Sequence, residues 1–224
     1  MSAKIERLNF DKRDFMSIGI PARFATPCES DLSKDKREEV ENIRSAIERF
    51  QTRTPPKRGL MLIGSRGTGK TTWMCEIAKA AYALKHDSTV NRRESDVEWD
   101  DKLKRDVRRP ATRIYSAQFK TFWDFIADLR KSFKDGTRYA DDFTQNDFIF
   151  LDDLGKVETQ RDWFVEAFQE IVDRLYNEEP GNKTLFITSN MTGLEISNVF
   201  GDACKDRLDT LCYTIQLQGR SLRA

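Results

Sequence analysis

The sequence predicts an α/β protein whose parallel sheet carries helices on both faces. Apolar runs of strand length alternate with segments of helical periodicity along the 224 residues, an alternation typical of parallel sheets. The run 148–151 is apolar without interruption, as expected for a strand buried on both faces. A glycine-rich loop at 64–69 joins an apolar run to a helical segment, a connection found in open α/β sheets. We expect five strands in the sheet.

Each strand is predicted from an apolar or alternating run bounded by turn residues. The run 59–63 follows Pro55 and Pro56, which end the preceding predicted helix, and it stops at Gly64. The run 213–217 alternates in polarity and should be the last strand. The other predicted strands are 113–115, 148–151 and 184–188.

The helices are predicted from apolar residues that recur every three or four positions. In the first of them, Val40, Ile43 and Ile47 would share one face. Ser116 is a favourable N-cap for the third. The predicted helices are 35–50, 70–84, 117–133, 161–177, 194–200 and 201–208.

The chain is expected to form one α/β domain with a short arm before it. Residues 1–34 are polar and mixed, and we predict an N-terminal arm there that is a candidate partner-binding segment. Residues 35–224 would form the domain itself. Within it, residues 86–110 are dense in charge and predict a surface insertion, for which partial helix is one option.

The composition limits the classes of function. The formal net charge is +1, so any nucleic-acid contact must come from a local patch rather than from overall basicity. Four scattered cysteines and the single His86 exclude a zinc site of ordinary spacing and give no disulfide framework. The chain begins without the apolar core of a signal peptide, and no window approaches a membrane span. We therefore expect a cytoplasmic protein with reduced thiols and no membrane partner.

The glycine-rich loop matches the phosphate-loop pattern G-x-x-x-x-G-K-[ST] in its proper context, between a strand and a helix. Its glycines let backbone N–H groups point at phosphate oxygens, and the following helix start adds partial positive charge. Lys70 could then reach the β- and γ-phosphates, and the Thr71 hydroxyl could bind Mg²⁺. The predicted nucleotide-binding residues are Gly64, Ser65, Arg66, Gly67, Thr68, Gly69, Lys70, Thr71 and Thr72.

Polar side chains follow two of the predicted strands. Asp152 and Asp153 end the strand at 148–151, where a phosphate-loop enzyme needs a carboxylate to hold Mg²⁺. Asp152 is the candidate metal ligand, and Asp153 the candidate for orienting or deprotonating the attacking water. Asn190 follows the strand 184–188 and is a candidate contact of that water or of the γ-phosphate. The alternatives are an ordinary polar turn at the two aspartates and an asparagine that only caps a turn.

The order of these motifs resembles that of one family. The phosphate loop is followed by Asp152–Asp153–Leu154–Gly155, then Thr188–Ser189–Asn190, then Asp206–Arg207–Leu208 and a terminal Gly219–Arg220–Ser221–Leu222–Arg223. This ordered set, together with segments 18–24 and 115–119, is similar to the AAA+ ATPases of the DnaC/DnaI helicase-loader and IstB group. The resemblance covers residues 18–224 and implies an AAA+ (ASCE) phosphate-loop NTPase domain that binds ATP and Mg²⁺.

The resemblance also implies roles for two arginines. Arg207 matches the arginine finger, which reaches the γ-phosphate held by a neighbouring subunit of a homo-oligomer. Arg223 matches the sensor-2 arginine, with Arg220 as the second choice because Leu222 stands where an aromatic residue is usual. The chain departs from the family in having only about 50 residues before the first strand, no zinc ligands, and a long insertion at 86–110.

A local basic and aromatic segment offers a site for single-stranded DNA, since cations can follow phosphates while aromatic rings stack on bases. The alternative is an amphipathic helix whose aromatic residues belong to the core. The residues concerned are Lys120, Phe122, Arg130, Lys131, Phe133, Lys134 and Arg138.

Three functions remain open from the sequence. The resemblance favours an ATP-dependent loader of a hexameric replicative helicase that also binds single-stranded DNA. An IstB-like helper of DNA transposition would use the same ATPase on duplex DNA. A stand-alone kinase or NTPase would instead need a small-molecule acceptor pocket.

Overall fold

The computed structural model describes residues 10–26, 37–86, 97–100, 105–108, 115–136, 143–155, 162–179 and 181–219. Helices are numbered here in chain order among these residues. They are α1 Lys12–Ser17, α2 Glu39–Gln51, α3 Lys70–His86, α4 Phe122–Asp135, α5 Asp162–Tyr176, α6 Gly193–Phe200 and α7 Asp202–Leu211. The strands are β1 Gly59–Ile63, β2 Val97–Asp100, β3 Arg105–Arg108, β4 Ala117–Thr121, β5 Phe148–Leu154, β6 Thr184–Ser189 and β7 Cys212–Gln216. No helix among the described residues is long and apolar enough to cross a membrane.

The predicted five-stranded parallel sheet is confirmed, with strand order β4-β5-β6-β1-β7. Strand β1 lies between β6 and β7, which follow it by more than a hundred residues. Because all five strands are parallel, the carboxyl ends of β1, β6 and β5 meet at one edge. The phosphate loop, the two aspartates near the end of β5 and the asparagine after β6 therefore lie side by side.

The sheet is covered on both faces, as predicted. One core packs α1, α2 and α3 against one face, and the other packs the remaining helices α4 to α7 against the opposite face. Phe150 and Phe186 stack across β5 and β6 with ring centroids 4.8 Å apart, and Phe50 of α2 meets Phe148 edge-on. These contacts fix the sheet that supports the site.

Residues 10–26 of the predicted arm pack on α3 and on the outer edge of β4. Phe15 of α1 contacts Tyr82 of α3, and Lys79 of α3 donates a 3.0 Å hydrogen bond to the carbonyl of Thr26. The Ile18 carbonyl accepts a 2.6 Å bond from the Phe119 amide of β4. Gly19, at φ +99°, lies so close to β4 that a Cβ atom would stand 2.0 Å from the Phe119 oxygen. The division at residue 34 stays a prediction.

The sequence analysis placed a strand at 113–115, whereas the structure has the strand β4 at Ala117–Thr121. Residues 117–121 form β4 and not the start of a helix, and Thr121 rather than Ser116 is the N-cap of α4, its hydroxyl accepting from the Asp124 amide. Ser116 instead donates two 2.8 Å bonds to the Asp147 carboxylate, which ties β4 to β5. The predicted strand 113–115 lies outside the described residues except for Tyr115, which stacks on Phe148.

The predicted insertion contains strand and no helix among its described residues beyond His86, which ends α3. Strands β2 and β3 form an antiparallel pair in which Val97 lies opposite Arg108 and Asp100 opposite Arg105. The expectation of partial helix is therefore wrong for residues 97–100 and 105–108. The rest of 86–110 after His86 lies outside the described residues.

Candidate nucleotide-binding site

The phosphate loop turns sharply between β1 and α3. Gly64, Gly67 and Gly69 have φ angles of +147°, +85° and +89°, a region that side chains disfavour. A Cβ atom on Gly64 would stand 2.3 Å from the Leu217 oxygen, so the loop also needs glycine there for lack of space. Helix α3 begins at Lys70, and its first N–H groups and helix dipole face the loop. This arrangement is suited to an anion such as phosphate.

Lys70 is held in place by hydrogen bonds to the loop and to the residue after β6. Its ammonium donates to the carbonyls of Gly64 at 2.9 Å and Ser65 at 2.8 Å, and to the Asn190 side-chain oxygen at 2.8 Å. Lys70 is only 7% exposed. Lys70 of the phosphate loop and Asn190 after β6, both predicted as site residues, are therefore in direct contact.

The loop is braced by two further side chains, and the sequence analysis gave no role to one of them, Arg37. Thr68, fully buried, donates from its hydroxyl to the Ser65 carbonyl at 3.0 Å. Arg37, just before α2, donates to the Thr68 carbonyl at 3.0 Å and to the Gln218 carbonyl at 2.8 Å. Arg37 lies in a run of charged residues, and nothing in that run marks it as a support of the loop. Ser65 and Arg66 are exposed at the loop surface, and Thr72 is half-buried at the start of α3.

Asp152 is a buried carboxylate, 5% exposed, at the end of β5. Thr188 of β6 donates a 2.6 Å hydrogen bond to it, and the Thr71 side chain forms a second. Burial raises the pKa of the Asp152 carboxyl above its ordinary value, while these two hydrogen bonds lower it. Arg23 of the arm also favours the ionised form. The two predicted metal ligands, Thr71 and Asp152, are thus brought together.

Asp153 is turned outward by an irregularity in β5. Its φ is +62°, and the pairing of β5 with β6 shifts register between Leu151 and Leu154. The Asp153 amide donates to the Thr188 hydroxyl at 2.8 Å, and its carboxylate accepts from the Asn190 amide at 2.7 Å. A left-handed backbone costs of order 1–3 kcal/mol in a non-glycine residue, and such positions cluster at functional sites. The bulge gives two consecutive carboxylates, one buried and one exposed.

These contacts form one continuous network across the ends of three strands. It runs from Lys70 through Asn190 to Asp153, then through Thr188 to Asp152 and Thr71. The oxygen donors of Thr71 and Asp152 are of the kind that Mg²⁺ prefers, so the residues present fit this ion. Thr188 joins both aspartates, and the sequence analysis had not singled it out for this role.

Among the described residues, the predicted Arg207 is not part of this network. Arg207 of α7 is partly exposed and is ion-paired with Asp173 of α5, with its guanidinium 5.9 Å from the Tyr176 ring. Arg223 and its alternative Arg220 lie outside the described residues. The roles predicted for all three stay predictions.

The predicted basic segment is divided by the structure. Arg130, Lys131, Phe133 and Lys134 are exposed on α4. Phe122 is 2% exposed and belongs to the core, so it is unavailable for stacking on a base. Its neighbour Trp123, not named in the sequence analysis, is 65% exposed. Lys120 is ion-paired with Asp128, and Arg138 lies outside the described residues.

No protein-family model matches the sequence, and no curated protein matches it. Solved structures do match. DnaI shares 20% identity over 94% of this chain and 100% of its own, with a TM-score of 0.61. The DnaC helicase loader shares 18% identity over 82% of this chain and 92% of its own, with a TM-score of 0.56. The replication initiator DnaA, bound to AMPPCP and single-stranded DNA, shares 17% identity over 82% of this chain and 46% of its own, with a TM-score of 0.53.

These likenesses show the fold. The chain is an α/β protein with the fold seen in DnaI, the DnaC helicase loader and DnaA, and the resemblance to the DnaC/DnaI group predicted from the ordered motifs is confirmed at the level of the fold.

Proposed function

We propose that the protein is an ATPase that loads a replicative helicase, acting as a cytoplasmic homo-oligomer on single-stranded DNA. The observation that carries the ATPase part is the network joining Lys70, Asn190 and the two aspartates at the phosphate loop. The loader part is supported by the likeness to DnaI and to the DnaC helicase loader over most of the chain. The AMPPCP bound to DnaA supports an adenine nucleotide as ligand.

The side chains of the site have complementary tasks in ATP hydrolysis. Backbone N–H groups of residues 64–70 would bind the phosphates, and the Lys70 ammonium would leave its carbonyl partners for the phosphate oxygens. Thr71 and Asp152 would hold Mg²⁺, which supplies positive charge to the phosphate oxygens when bound. Asp153 would accept a proton from the attacking water. Asn190 donates to Asp153 and accepts from Lys70, so it fixes the distance between base and cation.

Arg207 is proposed to act on the nucleotide of a neighbouring subunit. Its ion pair with Asp173 involves side chains that are 36% and 41% exposed, and such surface pairs contribute only about 0–1 kcal/mol. The guanidinium can therefore be released at little cost when another subunit offers a phosphate. An added cation there would stabilise the charge of the transferring phosphoryl group.

Single-stranded DNA is proposed to bind along the exposed side of α4. Trp123, Ala127, Arg130 and Lys134 are spaced four, three and four residues apart and are all exposed, so they share one helix face. The indole could stack on a base, while the cations follow the phosphates. The neighbour DnaA, solved with single-stranded DNA, supports this choice of ligand.

The proposal is tested by capture of the purified protein with ATP. The candidates for capture are the replicative helicase of the same source, single-stranded DNA and duplex DNA. Helicase capture together with ATP-dependent binding of single-stranded DNA is the expected result. The Lys70→Ala variant is the control, and it should lose the ATP dependence.

Two other results would overturn the loader proposal. Duplex binding without helicase capture would indicate the IstB-like transposition helper. Capture of neither, with an ATPase rate per subunit that is independent of protein concentration, would indicate a stand-alone NTPase.

A further inference from the structure

A cleft of about 470 Å³ lies between α2 and β7, at the end of β1 opposite the phosphate loop. Its floor is apolar and buried, formed by Ala46, Pro56, Leu60 and Ile215. Asn42 and Ser45 of α2 line one side, and Tyr213 and Thr214 of β7 line the other. A volume of this size accommodates a few side chains.

The rim of the cleft is positively charged. Arg49, Lys57 and Arg58 line it, and no acidic side chain lies among its described lining residues. Arg49 and Lys57 are exposed, and the Arg49 guanidinium donates to the Thr54 carbonyl, which holds it beside the connection between α2 and β1. The described lining of the cleft therefore carries three cations.

Arg58 and Tyr213 form a preordered pair on this rim. The guanidinium lies 3.8 Å from the centroid of the Tyr213 ring and donates to the carbonyls of Asp209 and Cys212. The Arg58 Nε is buried and has no hydrogen-bond partner among the described residues. Tyr213 is 56% exposed, an unusual exposure for an aromatic residue beside an apolar floor. The Asp209 carboxylate is paired with Lys205 and accepts a 3.4 Å hydrogen bond from the Thr214 hydroxyl.

We propose that this cleft is a docking site for a short acidic segment of a partner protein, one that carries an apolar anchor residue. The apolar floor would take the anchor, and the three cations would pair with carboxylates beside it. Tyr213 would pack along the bound backbone. A nucleic acid fits less well, because the floor is aliphatic and Tyr213 is the one aromatic ring among the described lining residues, so successive bases have no stacking platform.

The site is separate from the nucleotide site. Leu60 is at the start of β1, and the phosphate loop begins after Ile63 at the other end of that strand. The inference consequently does not depend on the proposed ATPase or loader function. A partner could remain docked in the cleft while the nucleotide changes.

The test measures fluorescence anisotropy with three labelled probes. They are a peptide of about twelve residues in which Leu and Phe alternate with Glu-rich stretches, the same peptide with Lys for every Glu, and oligothymidylate. The acidic peptide alone should bind in the cleft. Lys57→Glu and Tyr213→Ala should each weaken its binding by about tenfold or more. Lys131→Glu, which changes another exposed lysine, on α4 and away from the cleft lining, is the matched control and should leave peptide binding unchanged.

The opposite results are equally definite. No binding of the acidic peptide, or equal binding by the wild type and both cleft variants, would overturn the proposal. Loss of oligothymidylate binding in Lys57→Glu would assign the cleft to nucleic acid and overturn it as well. The ATP hydrolysis rate of each variant checks that the domain is folded, because neither cleft residue belongs to the nucleotide site.

Discussion

The groups assigned to catalysis fall into two regions that are held very differently. At the phosphate loop, Lys70 and Asp152 are buried and bonded to residues of other strands. On α7, Arg207 is partly exposed and held by one ion pair with α5. The first region is preorganised within a single chain. The second is held by a partly exposed ion pair that costs little to release. In the proposed function, the buried charges would act within their own subunit, and the loosely held Arg207 would act on the nucleotide of a neighbour.

The strongest test of the buried region is Lys70→Ala, which removes the cation from the loop. Tight ATP binding should be lost, with an affinity about a hundredfold lower or worse, because the charge-assisted hydrogen bonds that Lys70 would make with the phosphates disappear. Binding of a fluorescent ATP analogue measures this. Lys131→Ala, which changes an exposed lysine of α4, should bind as the wild type. Unchanged affinity in Lys70→Ala would remove Lys70 from the site.

Asp153→Asn should separate binding from turnover. The asparagine can keep the bond to Asn190 but cannot accept a proton, so hydrolysis should fall about a thousandfold while ATP affinity stays unchanged. Phosphate release and nucleotide binding are measured on the same sample. Normal hydrolysis by this variant would contradict the role of Asp153.

Arg207→Ala tests the exposed region. The variant should bind ATP yet hydrolyse it about a hundredfold more slowly, even at high protein concentration, because the transition-state charge lacks a cation. Mixing it with Asp153→Asn should restore part of the activity, since the second subunit supplies an intact Arg207. No recovery on mixing would place the action of Arg207 within its own subunit.

Asp173→Ala sharpens the comparison by freeing Arg207. The free energy of unfolding should fall by about 0.2–1 kcal/mol, as for an exposed ion pair, and ATPase activity should reach its maximum at a lower protein concentration. Glu170→Ala is the matched control because it breaks the pair with Arg174 on the same helix. It should cost similar stability and leave the concentration dependence unchanged.

The smallest effect is expected from the pH dependence of stability. Burial raises the pKa of the folded-state Asp152 carboxyl, so its ionised form costs folding free energy. This cost is absent below the unfolded pKa and grows as pH rises through the raised folded pKa. Asp152→Asn should therefore gain stability relative to the wild type over that pH window, as measured by denaturant unfolding. A constant difference across the window would show that the carboxyl is not perturbed.

Parts of the structure with strong local signals could be predicted from the sequence. The glycine-rich loop and the apolar runs of β1 and β5 are patterns within a few residues, and the structure has a strand at each of those runs. Residues 117–121 were assigned to a helix because their apolar residues continue the helical spacing of α4. Pairing with β5 makes them a strand instead. Long-range pairing of this kind leaves little trace in a short stretch of sequence.

The supports of the site were the least predictable part. The bulge that turns Asp153 outward depends on how β5 meets β6, and no residue type marks it. Thr188 and Arg37 act through partners about 35 and 31 residues away in the chain, and their types are common on surfaces and in strands. The residues of the loop could be identified from spacing, whereas what holds them depends on the folded chain.

The arm has a consequence for solubility. Strand β4 is at the margin of the sheet, and Ile18 occupies the amide of Phe119 that would otherwise face outward. An uncovered strand margin invites pairing with another chain, so natural proteins cover or break such margins. Phe15, Ile18, Ile20 and Ala25 of the arm are buried against the rest of the chain. Residues 10–26 thus protect the edge of the sheet from pairing with another chain. A chain that began at residue 37 would expose both that edge and the apolar surface on which the arm packs.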